Sequence, residues 1–134
     1  MGHGTNGPIV LVIDDEPAIR DLFARVLAYG GLFPVVADTA ETALLLIQRG
    51  LVPHAILLDL KMPGMGGLGF LLELRSDPRF AAVPVAIVTG ATLLTGPVEH
   101  TAELLNAEIH FKPLEVDAIL DLTTRLVHSV PGCQ

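Results

Sequence analysis

Side chains that could do chemistry follow four apolar runs of this sequence, at positions where a buried strand would end. They are three carboxylates, a hydroxyl and an ammonium group, on Asp14, Asp15, Asp59, Thr89 and Lys112. The carboxyl ends of parallel strands share one edge of a sheet, and ligands bind in the crevice where the strand order reverses. We therefore expect these residues, which are far apart in sequence, to meet in one small site.

The residue types in this set favour a magnesium site that handles a phosphoryl group. Carboxylates at one sheet edge repel each other, so a hard divalent cation stabilises them. Magnesium prefers oxygen ligands, keeps several waters and leaves room for phosphate oxygens, whereas no nearby set of Cys or His suits zinc. A carboxylate can then attack a phosphoryl group while the cation and a lysine offset the developing charge. We predict Asp59 as the acceptor, with Lys112 and Thr89 contacting the phosphoryl oxygens.

Strand-like runs alternate with helix-period segments about five times, which is typical of an α/β fold with helices on both faces of a parallel sheet. We predict strands over residues 9–14, 33–37, 54–59, 83–89 and 108–111. The first helix has Pro17 in its first turn and stops at Gly30. A capping box formed by Asp38 and Glu41 opens the second helix, and Gly50 closes it. The remaining helices are predicted over residues 68–75, 97–105 and 114–128.

Composition limits the classes of protein that fit. The 134 residues suit one domain, and 51% hydrophobic against 17% charged residues argue against extensive disorder. A net charge of -7, with only eight Lys and Arg, disfavours nucleic-acid binding. No apolar stretch approaches the roughly 20 residues of a membrane span. Because Cys133 has no internal disulfide partner, we expect a cytoplasmic location. Residues 1–7 are predicted to be a disordered lead and residues 131–134 a tail.

Four motifs follow the predicted strands in order: the acids at 14–16, Asp59 with the Lys-Met-Pro-Gly sequence at 61–64, Thr89, and Lys112 with Pro113. Taken together they resemble the response-regulator receiver domain of two-component signalling, of the chemotaxis-regulator type. The resemblance covers residues 8–130. It implies a flavodoxin-like, doubly wound sheet of five parallel strands in the order 2-1-3-4-5, with helices on both faces.

The resemblance also implies a function for each motif. Asp59 would accept a phosphoryl group from a histidine kinase or a histidine phosphotransfer protein in a magnesium-dependent reaction. The implied Mg²⁺ ligands are Asp14, Asp15, Asp59 and the backbone carbonyl of Lys61. Thr89 would move towards the phosphoryl oxygens and Lys112 would pair with them. The chain would assist its own phosphorylation and dephosphorylation without being an enzyme, and the Lys112–Pro113 bond would be cis.

Phosphorylation would shift the population of a partner-binding face formed by the fourth helix, fifth strand and fifth helix. The resemblance does not identify the output protein. It implies a monomer or a weak dimer through this face, with no nucleic acid or membrane as partner. We expect a stand-alone receiver that signals through a separate partner, passes phosphate along a relay or acts as a phosphate sink. A receiver excised from a longer chain is the alternative.

Two positions depart from the family pattern. Ile109 stands where the family usually has Tyr or Phe three residues before the lysine, so no aromatic ring can report activation there. The neighbouring His110 should point to the other face of the strand. Gly66 stands where the family often has Asp, which should weaken the cap of the third helix.

Other readings of the same residues remain open. Acids directly after a strand are often helix caps or first-turn charges, and Lys112 could pair with an acid on the surface. The main alternative function is a receiver-like interaction module that binds its partner independently of phosphorylation. A phosphatase with an Asp nucleophile needs an acid two residues later, where this chain has Lys61. A flavodoxin-like cofactor site should offer hydroxyls and amides after the first strand, where this chain offers acids.

Overall fold

The strands of the protein are the apolar runs of its sequence. The computed structural model describes residues 7–90 and 95–129. Its strands are β1 (Ile9–Ile13), β2 (Phe33–Ala37), β3 (Ala55–Leu58), β4 (Val85–Thr89) and β5 (Ala107–Phe111). They form one parallel sheet in the order β2-β1-β3-β4-β5, which confirms the predicted topology.

A helix follows each strand. The α-helices are α1 (Pro17–Tyr29), α2 (Ala40–Gln48), α3 (Gly66–Ser76), α4 (Gly96–Leu104) and α5 (Val116–Val127). A short 3-10 helix that the sequence analysis did not predict spans Pro78–Phe80 and leads into β4. Among the described residues, no helix combines the length and the apolar character needed to cross a membrane.

Alternate residues of each strand face opposite sides of the sheet and build two hydrophobic clusters. On β1, Leu11 and Ile13 pack on the side that carries α2, α3 and α4. Val10 and Val12 pack on the side that carries α1 and α5. Both faces of the sheet are therefore covered, as the largely apolar strands predicted.

The element boundaries shift by one or two residues from the predictions. Asp14 and Asp59 lie one residue beyond β1 and β3 and are not the last residues of the strands. The predicted fifth helix, 114–128, begins late because Glu115 is extended, with ψ 161°, and acts as the N-cap. It follows the Lys112–Pro113 bond, which is cis as predicted.

The predicted capping box at the start of α2 is wrong. The helix begins one residue later than the pattern suggested, so Thr39 and not Asp38 is the N-cap. The Thr42 N–H donates to Thr39 Oγ1 at 3.0 Å. Glu41 is then the second helical residue, where its carboxylate cannot close a box with Asp38. Glu41 instead accepts a hydrogen bond from the Met65 N–H, 24 residues later.

A half-buried arginine joins α3 to the far end of α4. The Arg75 guanidinium donates to four backbone carbonyls, those of Phe80, Val83, Leu105 and Asn106, at 2.8–3.2 Å. Burial lowers the pKa of Arg75 from its ordinary value. The carbonyls at the end of α4, which have no partner within the helix, are thus satisfied by a side chain of another helix.

Several predictions made from the sequence fall outside the described residues. They are the disordered lead over 1–7, apart from Gly7, and the tail 131–134 with Cys133.

The N-cap of α2 gives a direct test of the corrected boundary. We expect Thr39→Ala to lower the free energy of unfolding by about 1 kcal/mol, because the Thr42 N–H loses its acceptor. Asp38→Ala, at the neighbouring exposed position, should change it by less than about 0.5 kcal/mol. Urea unfolding of the two variants measures both values, and a larger loss for Asp38→Ala would restore the original capping prediction.

Candidate functional site

Two carboxylates lie side by side, buried at the carboxyl edge of the sheet. Asp14 follows β1 and Asp59 follows β3, and these strands are neighbours in which Ile13 pairs with Leu58. The Asp59 N–H donates to the Ile13 carbonyl at 2.9 Å, so the strand pairing itself sets the position of the acid. Asp14 is 2% exposed and Asp59 is 4% exposed.

Lys112, directly after β5, places its ammonium group among three carboxylates. Its Nζ lies 2.9 Å from Asp14 Oδ2, 3.1 Å from Asp59 Oδ2 and 3.0 Å from Glu16 Oε1. Burial on its own lowers the pKa of Lys112, but the hydrogen bonds to the three acids raise it well above its ordinary value. The ammonium group is therefore charged at any physiological pH.

The environment of Asp14 shifts the pKa of its carboxyl group. Burial raises the pKa of the Asp14 carboxyl above its ordinary value, and the nearby charge of Asp59 adds to this. The Glu16 N–H, which donates to Asp14 Oδ1 at 2.9 Å, and the Lys112 ammonium act in the opposite direction. Burial thus makes ionisation of Asp14 less favourable than it is in water, and further positive charge nearby would offset that cost.

The third predicted metal ligand, Asp15, completes an acidic cluster. One carboxylate oxygen each from Asp14, Asp15 and Asp59 lies within 4.8 Å of the others. Asp15 is exposed, so the cluster opens to solvent on one side. The donors are all oxygen atoms of the kind that Mg²⁺ prefers, and the spacing lets one ion reach all three.

Thr89, the last residue of β4, carries a buried hydroxyl. The residue is fully buried, and its Oγ1 makes no hydrogen bond to any of the described residues. Its backbone carbonyl accepts from the Lys112 N–H at 2.9 Å, so β4 and β5 bring the hydroxyl and the lysine to the same sheet edge. A buried hydroxyl without a partner is unfavourable, and a ligand oxygen at this edge would relieve that cost.

The segment after Asp59 turns back onto it. The Lys61 N–H donates to Asp59 Oδ1 at 3.3 Å, and the Gly67 N–H donates to the Leu60 carbonyl at 3.3 Å. A Cβ at Gly67 would lie 2.2 Å from the Asp59 carbonyl oxygen, so only glycine allows this approach. The cap of α3 is weak, as predicted, because its N-cap Met65 makes no side-chain hydrogen bond.

The two faces of β5 differ in chemistry. Ile109, which stands where the family usually has an aromatic residue, packs against the hydrophobic cluster on the α4 side. On the opposite face His110 Nε2 lies 3.1 Å from Glu108 Oε1, and Glu108 forms a two-pronged ion pair with Arg125 of α5 at 2.6 and 2.7 Å. His110 therefore points away from Ile109, as predicted.

Sequence reasoning missed two polar contacts of the site. Glu16 looked like a helix-terminal charge, but it makes no capping hydrogen bond and pairs with Lys112, 96 residues away. Arg20 donates from Nη1 to the Asp14 carbonyl at 3.0 Å and so braces the turn that carries the acids. The position of Glu16 next to Asp14 and Asp15 was a signal for its contact with Lys112. The sequence offered no signal for the contact between Arg20 and the Asp14 carbonyl.

Comparison with known proteins decides the family. A family model described as the response regulator receiver domain matches residues 10–123. The chain belongs to this family. The response regulator FleR of Pseudomonas aeruginosa is 32% identical over 129 residues, which are 93% of this chain and 26% of that protein. Rre1 of Synechocystis is 32% identical over 114 residues, 83% of this chain and 49% of its own.

Solved structures of receivers share the fold. The chemotaxis response regulator CheY4 of Vibrio cholerae superposes with a TM-score of 0.81 at 23% identity, covering 90% of this chain and 99% of that one. A response regulator receiver protein from Pseudomonas putida gives 0.80 at 26% identity, with coverages of 90% and 98%. This receiver domain spans between 26% and 49% of the length of four curated relatives that it matches.

The Glu108–Arg125 pair of the receiver domain predicts a pH dependence. The guanidinium lowers the pKa of Glu108 from 4.5 to about 2, against burial, which raises it, and His110 adds a smaller effect. A carboxyl whose pKa is lower in the folded state stabilises the fold above its unfolded pKa and loses that contribution as the pH falls. The contribution should therefore be complete at pH 7 and disappear between about pH 4.5 and 2.

We expect Glu108→Gln to destabilise the protein at pH 7 by about 0.5–1 kcal/mol, a value that allows for solvent screening of this partly exposed pair. The difference from wild type should shrink as the pH falls below about 4.5 and approach zero only near pH 2. Urea unfolding at several pH values measures it, with Glu103→Gln, an exposed acid of α4, as the control. A deficit that stays constant with pH would contradict the assignment to this ion pair.

Proposed function

We propose that this receiver domain is phosphorylated on Asp59 in a magnesium-dependent reaction. The observation that carries the proposal is the position of the Lys112 ammonium, 3.1 Å from Asp59 Oδ2 and 2.9 Å from Asp14 Oδ2, with both carboxylates buried. A buried acid held against a fixed cation at a sheet edge is a positioned nucleophile with charge stabilisation already in place. The receiver is proposed to extend over residues 8–130, flanked by the lead and the tail.

The acidic cluster fits the magnesium ion that the family uses. We assign the ligands to Asp14, Asp15, Asp59 and the backbone carbonyl of Lys61. The three carboxylates lie close enough to share one ion, and Lys112 alone leaves a net negative charge among the acids. When bound, Mg²⁺ supplies positive charge next to the phosphoryl oxygens.

The chain's own residues then carry the transfer. An Asp59 carboxylate oxygen forms a bond to phosphorus while the bond from phosphorus to the donor's nitrogen or oxygen breaks, which leaves an acyl phosphate on Asp59. Lys112 pairs with a phosphoryl oxygen, and the Thr89 hydroxyl, which has no partner among the described residues, donates to another. Water later cleaves the acyl phosphate, and the same residues assist that step. The domain is thus a phosphoacceptor and not an enzyme with an external substrate.

The phosphoryl donor is proposed to be a histidine kinase or a histidine phosphotransfer protein, in a cytoplasmic two-component pathway. Contacts of Thr89 and Lys112 with the phosphoryl group would favour one of two states of the face formed by α4, β5 and α5. That face would bind an output protein or, weakly, a second copy of the chain. The net charge of -7 speaks against nucleic acid as the direct ligand of this domain.

Phosphorylation by a small donor tests the proposal. Incubation with acetyl phosphate and Mg²⁺ should add one phosphoryl group to the wild type, and intact-mass spectrometry measures it. Asp59→Asn should remain unmodified, whereas Asp38→Asn, a change at an exposed acid outside the cluster, should be modified like the wild type. Chelation of Mg²⁺ should abolish the reaction because the acids lose the charge that balances them. Absence of labelling in the wild type, or equal labelling of Asp59→Asn, would refute the assignment.

A second function is favoured by Ile109, which packs in the core where receivers usually have an aromatic ring. The domain would then be an interaction module whose binding face does not respond to phosphorylation. Amide chemical shifts distinguish the two functions. A switching receiver should show shifts throughout α4, β5 and α5 after phosphorylation, whereas a constitutive module should show them only next to Asp59.

A further inference from the structure

Helix α3, which follows β3, has no side-chain cap at its own N-terminus. Helix α3 begins at Gly66, and its N-cap Met65 offers no side-chain acceptor to the first N–H groups of the helix. Gly66 has φ +77° and brings no side chain to the position where the family often has Asp. An uncapped start of this kind leaves backbone donors free and the loop before it weakly held.

The N–H of Met65 itself finds its acceptor on another helix. The Met65 N–H donates to Glu41 Oε2 of α2 at 2.9 Å. The same carboxylate lies against the neighbouring Gly64, where φ is +74° and an added Cβ would be only 2.6 Å from Glu41 Oε2. A negative charge at this point also favours the positive end of the α3 dipole. Glu41 thus satisfies the N–H of the N-cap residue of α3, as the third residue of a capping box does in other helices.

The segment that Glu41 holds directly follows Asp59, the proposed phosphoacceptor. Lys61 contacts Asp59 Oδ1 through its N–H, and Gly67 packs directly on the Asp59 backbone. The segment 61–65 is therefore fixed at both ends, by Asp59 and Gly67 at the sheet and by Glu41 at Met65. Its Lys61 carbonyl is the backbone ligand assigned to the metal under the proposed function.

We propose that Glu41 is a positioning residue of the phosphorylation site. By holding Met65 it restricts the segment 61–65 to a conformation in which the Lys61 carbonyl and the Asp59 carboxylate are oriented together. This inference rests on the proposed function, because the Lys61 carbonyl has a role only where a metal binds. The acceptor of the Met65 N–H is thus a carboxylate from 24 residues earlier in the chain and not a neighbouring side chain.

Three variants separate positioning from charge. Glu41→Ala removes both the acceptor and the charge, while Glu41→Gln keeps an oxygen acceptor and loses the charge. Glu73→Ala, which removes an exposed acid of α3, is the matched control.

Two measurements are made on each variant. Hydrogen exchange of the Met65 amide in the metal-free protein reports whether the bond to residue 41 exists, and calorimetric titration gives the Mg²⁺ dissociation constant. In Glu41→Ala we expect the Met65 amide to exchange faster and Mg²⁺ binding to weaken by about three- to tenfold. This loss is smaller than the usual effect of removing a residue that orients a metal ligand, because Glu41 is exposed. Glu41→Gln, which keeps an acceptor for the Met65 N–H, should stay within about twofold of wild type.

The outcomes distinguish this inference from the function on which it rests. Unchanged Met65 exchange in Glu41→Ala overturns the positioning role whether or not the metal binds. Equal loss of Mg²⁺ affinity in Glu41→Ala and Glu41→Gln overturns it in favour of a charge effect, and an equal loss in Glu73→Ala does the same. A wild type that binds no Mg²⁺ overturns the proposed function together with this use of Glu41, while the exchange result still reports on the hydrogen bond.

Discussion

Asp14 and Asp59 are buried next to each other where β1 and β3 end, and the rest of the site follows from that constraint. Removing carboxylates from water is unfavourable, and placing two of them together adds repulsion. The half-buried ammonium group of Lys112 contacts both acids and Glu16 and offsets part of this cost. One positive charge among these acids leaves the edge negative, so a divalent cation has a physical reason to bind there.

Backbone hydrogen bonds of the sheet fix the four central residues of the site. The N–H groups of Asp14 and Asp59 donate to the carbonyls of Ala37 and Ile13, and so continue the hydrogen bonding of the strands by one residue. The N–H of Lys112 donates to the carbonyl of Thr89 in the same way. Four reactive residues are thereby held by backbone hydrogen bonds at strand ends, where positions are more rigid than on loops.

The site could be predicted from the sequence because its residues follow apolar runs, and a parallel sheet brings the ends of such runs together. The capping of α2 could not be resolved, since Asp38 and Thr39 are both good N-cap residues and the helical period does not choose between them. Contacts that join distant residues were also missed. The pairing of Glu16 with Lys112 and of Glu41 with Met65 depends on how helices pack against the sheet, which no local pattern records.

Along the face formed by α4, β5 and α5, the restraints are uneven. Arg75 ties the carbonyls of Leu105 and Asn106 at the end of α4 to α3, and the residue of α4 that is buried, Ala102, lies near the same end. The first turn of α4 is held more weakly, because Thr95 Oγ1 accepts from the Val98 N–H at 3.4 Å and the turn is mostly exposed.

The other restraints on this face lie on β5. Its polar face is tied to α5 through Glu108 and Arg125, while Ile109 on the opposite face has no aromatic ring to rotate. A displacement of Thr89 would therefore have to reach this face as a movement of the backbone of its strand and helices. Among the described residues of this face, those of the first turn of α4 are mostly exposed, so its movement would disturb little packing.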